Sequence, residues 1–282
     1  MELVKWEFPF KPLMVAPIGD IQWNGDPHEI ALERLREHII RALDQGAWFL
    51  GMGDYIDFMS PSNRARLNSA DFYDGPMKTL DDVALHLTTE VFNILAPTKG
   101  RWLGLLEGHH FYRLQSGITT DMKLAEMLGT RFLGSSAFVR LMFADNRPRL
   151  SADIWCHHGM GQGKAHAPIM KLESLSPYWE ADIFMIGHMT KMASAPINRC
   201  YPEFRGPSGE GHLRHKKIQL VGTGGWSKGY IEGVKQGQVP RGGYVERKML
   251  NPVCLGAPLV RLVPRESDKT ETRYSIDITV EV

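Results

Sequence analysis

Apolar positions are arranged in two distinct ways along the first two thirds of the chain. Short apolar runs are typical of buried β-strands, whereas apolar residues that recur every three or four positions are typical of helices with one face on a core. The two patterns follow one another in turn, so the sequence predicts alternating strands and helices. The predicted strands span 12–18, 47–52, 101–106, 138–143, 150–156 and 182–186, and the predicted helices span 26–43, 79–95, 119–128 and 168–175.

The last part of the chain has little helical periodicity. From residue 216 to residue 282 it is mostly strand-like, with glycine-rich connections and predicted strands at 216–221 and 274–282. Together with the alternating first part, this predicts an α/β fold of two packed sheets flanked by helices. The length of 282 residues and the lack of a linker predict one domain over residues 1–282, with a core at about 12–192 and a β-rich part at about 216–282.

Composition narrows the classes of function. Hydrophobic residues make up 43% and charged residues 23%, which is the balance of a globular protein. The 33 basic residues are matched by 32 acidic ones, so any contact with nucleic acid needs a local patch. The segment 199–217 is such a candidate, because it concentrates basic residues with Tyr201 and Phe204, a mix that nucleic-acid-binding loops use. The alternative for this basic loop is an ordinary surface excursion.

Cysteine usage and the N-terminus bear on the compartment. Cys156, Cys200 and Cys254 are widely spaced and odd in number, so they supply neither a disulfide framework nor a CxxC zinc site. The first 17 residues carry charges and prolines where a signal peptide has its apolar core, and no later run approaches the ~20 apolar residues of a membrane span. We therefore expect a cytoplasmic protein with no membrane contact.

Five of the predicted strands end in a glycine turn or loop that carries aspartate or histidine. In α/β sheets such groups collect at the carboxyl ends of strands, where the connecting loops converge. Carboxylates and imidazoles at one rim suit Zn, Mn or Fe. One such residue alone is better explained by a turn or a core position, but five in succession favour a metal site. The residues are Asp20, Asp54 with Asp57, His109 with His110, His157 with His158, and His188.

The order of these residues resembles the motifs of the calcineurin-like metallophosphoesterases. The segments that resemble the family's D-x-H, G-D-x-x-D, G-N-H-[DE], H-G and G-H-x-H motifs are Asp20-Ile21-Gln22, Gly53-Asp54-Tyr55-Ile56-Asp57, Gly108-His109-His110-Phe111, His158-Gly159 and Gly187-His188-Met189-Thr190. The resemblance covers residues 12–192, and segments 157–190 and 222–230 are also similar to bacteriophage and prophage members. It implies a four-layer α/β/β/α sandwich, a two-metal phosphoesterase site and, for a phage-encoded chain, the host cytoplasm.

The resemblance also implies a set of metal ligands. The first metal position would take Asp20, Gln22, Asp54 and Thr190, but the family's two histidines are replaced here by Gln22 and Thr190, so this position is expected to be weak or empty. The second position would take Asp54, His109, His158 and His188 and is expected to be tight. His158 is preferred to His157 because it directly precedes glycine and strand alternation turns His157 the other way.

The expected function follows from the same resemblance. His110 is expected to hydrogen-bond phosphate and protonate the leaving alkoxide, with Asp20 and Asp54 as the other catalytic residues. The leading hypothesis is a hydrolase that uses Mn, Zn or Fe on phosphodiesters of nucleic acid or nucleotides, that is, a phosphodiesterase or nuclease. One alternative is a non-catalytic binding or assembly protein that has lost two-metal chemistry. A phosphoprotein phosphatase ranks last, because those enzymes usually keep every ligand.

Overall fold

The structure is a computed structural model of the chain. It describes residues 1–59, 66–67, 73–145, 149–161, 166–205, 209–233, 235–236, 239–240, 242, 244–247, 249–266 and 274–282. The fold within these ranges is mixed α/β, with two mixed six-stranded sheets and a small two-stranded one.

The elements are numbered along the chain. The strands are β1 (Glu2–Phe8), β2 (Leu13–Ile18), β3 (Trp48–Gly51), β4 (Trp102–Leu106), β5 (Phe132–Gly134), β6 (Ser136–Phe143), β7 (Leu150–His157), β8 (Ile183–Ile186), β9 (Met192–Arg205), β10 (Glu210–Thr223), β11 (Lys235–Gln236), β12 (Val239–Pro240), β13 (Leu259–Glu266) and β14 (Tyr274–Glu281). The helices are α1 (Leu32–Asp44), α2 (Asp74–Leu95), α3 (Thr120–Leu128), α4 (Ala167–Leu175) and α5 (Tyr244–Arg247), with short 3-10 turns at Ala96–Thr98 and Ser176–Tyr178.

Parallel strands form the centre of each large sheet. The first sheet has the order β14-β13-β2-β3-β4-β5, in which β2 to β5 run parallel and β13 is antiparallel to both β2 and β14. The second has the order β1-β6-β7-β8-β10-β9, in which β7, β8 and β10 run parallel. Parallel strands end at the same edge of a sheet, so the loops that follow β2, β3 and β4, and those that follow β7, β8 and β10, are brought together.

Three apolar clusters hold these layers together. The first cluster joins buried residues of β2, β3 and β4 to α1, α2 and α3. The second contains buried residues of both large sheets, among them Val15 and Leu50 from the first and Val139 and Ile154 from the second. The third joins β7, β8 and β10 to α4 through Leu172. The first cluster therefore joins helices to the first sheet, the third joins a helix to the second sheet, and the second contains residues of both sheets.

Helix α1 begins later than its sequence predicts. Asp26 and Pro27 were expected to start the helix, but the Asp26 carboxylate accepts a hydrogen bond from the His28 backbone N–H at 2.8 Å and closes a turn instead. Ala31 then donates its N–H to the carbonyl oxygen of Trp226 at 2.8 Å. The segment before α1 is thus tied to the C-terminal part of the chain, and the helix starts at Leu32.

The basic loop predicted at 199–217 is a β-hairpin. β9 and β10 pair in register from Met192 with Thr223 to Arg205 with Glu210, and residues 206–208 at its tip lie outside the described ranges. Several of its cations have acidic partners: Arg214 contacts Glu203 at 2.7 Å, and Lys216 contacts Glu180 at 2.6 Å. Cross-strand pairing and these ion pairs order a segment that composition alone marked as a loop.

Two findings concern the predicted compartment. Within the described part of the chain, no helix combines the length and the apolar character that crossing a bilayer requires. The three cysteines are free thiols, and Cys156 is buried while Cys200 and Cys254 are exposed.

Candidate metal centre

The predicted site residues lie where the parallel strands of both sheets end. Asp20 follows β2, Asp54 follows β3, and His109 follows β4, all in the first sheet. His158 follows β7 and His188 follows β8 in the second sheet. Contacts between Asp20 and His188 and between Asp54 and His158 show that the loops of the two sheets meet at one place.

Four of the residues form a compact cluster. One ligand atom from each of Asp54, His109, His158 and His188 can be chosen so that all four lie within 4.8 Å of one another. The imidazole rings of His109, His158 and His188 pack edge to face, with centroids 4.6 to 5.3 Å apart. We call these four residues the ligand-rich half of the site. They can bind a metal ion.

Two distances between candidate ligand atoms in this half are close to those expected around one ion. Asp54 Oδ2 lies 3.2 Å from His158 Nε2, and His109 Nδ1 lies 3.1 Å from His188 Nδ1. Metal–ligand bonds of about 2.0 to 2.2 Å in tetrahedral geometry separate neighbouring ligands by about 3.3 to 3.6 Å. Asp54 Oδ2 and His158 Nε2 are also buried, and their contact with each other lacks hydrogen-bond geometry. Buried polar atoms without a well-formed hydrogen bond are costly, and a bound cation would satisfy both.

The Asp54 carboxylate has two separate tasks. Its Oδ1 accepts hydrogen bonds from the backbone N–H groups of His109 and, at 3.0 Å, His110. Its Oδ2 faces the imidazoles. His158 is oriented in turn by Met52, whose carbonyl oxygen accepts from Nδ1 at 2.6 Å and leaves Nε2 to face Asp54. A carbonyl in this role is a common partner of a metal-binding histidine.

The pKa values of the cluster describe one buried ion pair. Burial alone would raise the pKa of Asp54, but its contacts with His158 and His188 outweigh burial and hold that pKa well below its ordinary value. Burial lowers the pKa of His158, but the Asp54 carboxylate raises it to about 9. Burial, aided by the charge of His158, lowers the pKa of His109 to about 4. Asp54 and His158 thus form an ion pair that a divalent cation can replace.

His110 stands beside the cluster and has a partner of its own. Its Nδ1 hydrogen-bonds Asp57 Oδ1 at 2.6 Å, while its Nε2 lies 3.9 Å from Asp54 Oδ2. The side chain is 22% exposed. Burial lowers the pKa of His110, but the hydrogen bond to Asp57 and the charge of Asp54 raise it above its ordinary value overall. Asp57 therefore fixes the ring with Nε2 toward the cluster.

Asp20, Gln22 and Thr190 form what we call the ligand-poor half. Asp20 is fully buried and accepts a hydrogen bond from the His188 backbone N–H at 2.9 Å, while its Oδ1 has no partner. Burial raises the pKa of Asp20 to about 7. Gln22 donates its backbone N–H to the Asp54 carbonyl oxygen at 2.9 Å. These residues border the cluster without adding an imidazole to it.

Left-handed backbone is concentrated at the site. Six non-glycine residues among those described have positive φ, and Met249 is the one that lies elsewhere. Such a conformation is uncommon for non-glycine residues and most unusual for a β-branched one such as Thr190 (φ 51°). Strain of this kind gathers at functional sites. The five site residues are Asp20, Gln22, Asp54, His188 and Thr190.

Two glycines allow the loops to approach this closely. A Cβ on Gly53 would lie 2.6 Å from His158 Nδ1, and a Cβ on Gly108 would collide with the backbone N of Asp54. Gly53 also has a φ of 92°. The sequence motifs around Asp54 and His109 therefore need glycine at these two positions for steric reasons.

The structure separates the two neighbouring histidines after β7. His158 lies in the cluster, whereas His157 turns its ring toward Trp155 and accepts a hydrogen bond from the Gly159 N–H at 2.7 Å. Alternation along β7 accounts for this, because consecutive side chains point to opposite faces of a strand.

Sequence reasoning gave no role to two residues that support the site. Asp57 was noted as part of a motif, but its hydrogen bond to His110 was not foreseen. Asp121 is buried in the first turn of α3 and accepts a hydrogen bond from the Gly108 N–H at 2.9 Å. Burial raises the pKa of Asp121 to about 7. An acidic residue near a helix start is common, so no sequence signal marked Asp121.

Comparison with known proteins adds no family assignment. No protein-family model matches the chain, and no curated protein matches its sequence.

Proposed function

We propose that the chain is a metal-dependent phosphoesterase of the calcineurin-like type, acting on phosphodiesters of nucleic acid or nucleotides. The observation that carries this proposal is the cluster of Asp54, His109, His158 and His188 at the joint edge of two sheets. The order of the motifs in the sequence supports the same conclusion.

We infer a four-layer α/β/β/α arrangement for the same reason. Helices α1, α2 and α3 share one apolar cluster with the first sheet, and α4 shares another with the second. The second apolar cluster described above contains residues of both sheets. The succession of helices, sheet, sheet and helix in these contacts supports the layered architecture.

The four ligands suit Zn, Mn or Fe, because three imidazoles and one carboxylate form a set that borderline metals prefer. When bound, a divalent metal supplies polarisation of a phosphoryl oxygen and a water of lowered pKa. Asp54 holds the turn that carries His109 through its Oδ1, so one carboxylate both positions a ligand and serves as one. The ligand-poor half, with Asp20 and the neutral side chains of Gln22 and Thr190, holds a second ion weakly in this proposal.

His110 is the proton donor in the proposed reaction. Its Nδ1 is held by Asp57, and its Nε2 faces the cluster. From this position the ring hydrogen-bonds a phosphoryl oxygen and gives its Nε2 proton to the departing alkoxide. Asp57 keeps the ring oriented while the proton moves.

The proposal is tested with bis(p-nitrophenyl) phosphate and added Mn²⁺. We expect hydrolysis by the wild type, a loss of about hundredfold or more in Asp54→Asn, and a loss of about 10² to 10⁴ in His110→Ala, which is the range for a general acid. His86→Ala is the matched control, because the His86 side chain is 70% exposed on α2. Equal rates in wild type and His110→Ala would contradict the proposed reaction.

A second function has an observation in its favour. Among the described residues, only one group has the composition and spacing of a metal site, and the neighbouring half contributes Asp20 as its only charged candidate ligand. A metal-stabilised binding or assembly protein would need the one tight metal site and would not need a second metal position. Tight metal binding with no diesterase activity under any tested metal would favour this function.

A further inference from the structure

The turn that carries His109 and His110 is anchored by more than the metal cluster. Three consecutive backbone N–H groups in this turn donate to buried carboxylates. His109 and His110 donate to Asp54, whereas Gly108 donates to Asp121 at 2.9 Å. The Asp121 side chain comes from α3 and is almost fully buried. Two carboxylates from separate elements therefore hold one turn.

The start of α3 also grips the far end of the same turn. Thr120 donates its backbone N–H to the Tyr112 carbonyl oxygen at 2.9 Å, and its Oγ1 accepts from the Tyr112 N–H at 3.1 Å. Thr119 caps the helix by accepting from the Met122 N–H at 3.2 Å, which fixes the first turn of α3. Residues 108 to 112 are thus clamped at both ends by adjacent residues of one helix.

We infer that Asp121 is a positioning residue that sets the place of His109 and His110 through the backbone of Gly108. This inference rests on the proposed function for its effect on metal and rate. The turn has no room to adjust in another way, because Gly108 packs directly on the Asp54 backbone. Loss of the Asp121 acceptor leaves the Gly108 N–H buried without a partner, and the turn must shift to reach water.

Two substitutions of Asp121 distinguish the effect of its hydrogen bond with the Gly108 N–H from the effects of its side-chain volume and its charge. Asp121→Asn keeps an acceptor for the Gly108 N–H and removes the charge, while Asp121→Leu keeps the volume and removes the acceptor. Thr98→Val is the matched control: Thr98 is fully buried, accepts from Trp102 Nε1 at 2.7 Å, and lies before β4, at the opposite end of that strand from the site. It removes a buried acceptor without touching the turn.

The experiment combines amide hydrogen exchange with Co²⁺ binding. We expect Asp121→Leu to exchange faster at residues 108–112, to bind Co²⁺ about 10- to 100-fold more weakly, and to show a shifted Co²⁺ absorption spectrum, as outer-shell changes do. The kcat for bis(p-nitrophenyl) phosphate should fall by a similar factor with little change in KM. Asp121→Asn and Thr98→Val should resemble the wild type in all of these. Asp121→Ala replaces the leucine variant if that variant does not fold.

The outcomes distinguish this inference from the proposed function. Wild-type exchange at 108–112 in a folded Asp121→Leu or Asp121→Ala protein would overturn the positioning role, whatever the activity. Equally fast exchange at residues 108–112 in Thr98→Val would also overturn it, because the effect would then be general destabilisation. If the wild type binds no Co²⁺, the proposed function fails, and the exchange data still decide whether Asp121 holds the turn.

Discussion

The two halves of the candidate site share their backbone geometry and differ in their side chains. Asp54 and His188 in the ligand-rich half have the same left-handed conformation as Gln22 and Thr190 in the ligand-poor half. The first half carries three imidazoles around one carboxylate, whereas the second contributes an amide, a hydroxyl and the buried Asp20. Loop geometry and ligand chemistry are therefore separable here, and the number of metals should depend on the side chains.

The largest effect is expected at the ligand-rich half. Asp54→Ala removes the carboxylate that faces the imidazoles, so we expect metal affinity to fall by about hundredfold or more. Metal at about 100 times the wild-type Kd should add about 2.7 kcal/mol to the stability of the wild type and about 0.4 kcal/mol or less to the variant. Thermal unfolding with and without Zn²⁺ measures this.

His110→Ala is the control for that prediction. Because His110 pairs with Asp57 and lies outside the four-residue cluster, this variant should keep the metal and its stabilising effect. Loss of metal from His110→Ala would show that His110 is a ligand and that the boundary of the ligand-rich half is wrong.

The second prediction concerns pH and the support of the ligand-poor half. His38 on α1 is buried against Trp226, whose backbone N–H donates to the Asp20 carbonyl oxygen at 3.0 Å. Burial and the charge of Arg41 lower the pKa of His38 from 6.5 to about 4. The unfolded chain therefore binds this proton first, and stability is lost as pH falls from about 6.5 toward 4.

The size of this effect can be measured by urea unfolding at two pH values. Between pH 7 and pH 5, His38 should account for a loss of about 2 kcal/mol, which His38→Leu should remove. His86→Leu, on an exposed position of α2, should leave the pH dependence as it is. A pH dependence in His38→Leu equal to that of the wild type would contradict the argument.

The third prediction concerns a variant in which two histidine ligands are introduced into the ligand-poor half. Gln22→His with Thr190→His should allow a second Mn²⁺ to bind beside Asp20 and Asp54, since Gln22 and Thr190 have the same left-handed backbone as Asp54 and His188. Diesterase activity should rise about tenfold, or about 1.4 kcal/mol of barrier, because two ions share the charge that develops in the reaction. Isothermal titration with Mn²⁺ counts the sites. A second metal without added activity would favour the non-catalytic alternative.

The smallest effect is expected at Gly225, where the C-terminal part of the chain contacts the ligand-poor half. A Cβ on Gly225 would lie 3.0 Å from Asp20 Cβ and 3.2 Å from Thr190 Cβ, which is tighter than ordinary contact. Gly225→Ala should therefore cost about 1 kcal/mol of stability and leave metal binding at the ligand-rich half unchanged. Gly75→Ala is the control, because nothing lies within 4 Å of the added Cβ in α2. Chemical denaturation of both variants gives the comparison.

Most of the parallel core could be predicted from the sequence. The apolar runs before Asp20, Asp54 and His188 became β2, β3 and β8, with ends within one or two residues of those expected. These strands are buried on both faces, so their hydrophobic runs are continuous and easily recognised.

The edges of the sheets were harder to predict. β9 contains Pro196 and Pro202 among polar residues, and its register depends on pairing with β10 rather than on its own pattern. It is an edge strand, where proline is tolerated. β1 and β5 were also missed, because pairing with distant segments, β6 and β4, defines them.

The site itself was partly predictable. Residue type and position at strand ends marked a wider set of candidates, and the resemblance to the family's motifs selected Asp54, His109, His158 and His188 among them as one ligand set. The roles of Asp57 and Asp121 could not be predicted, because each acts through a contact with a residue that is distant in sequence. Asp57 lies 53 residues from His110, and Asp121 lies 13 residues from Gly108.

We expect Asp54, His109, His158 and His188 together to hold one metal ion. Anomalous diffraction at the Zn or Mn edge, from crystals grown with that metal, tests it directly. We expect one strong peak about 2.0 to 2.2 Å from a ligand atom of each of the four residues, and a weak peak or none beside Asp20. Two equal peaks would contradict the distinction between the halves, and a strong peak elsewhere, or none at all, would contradict the metal centre.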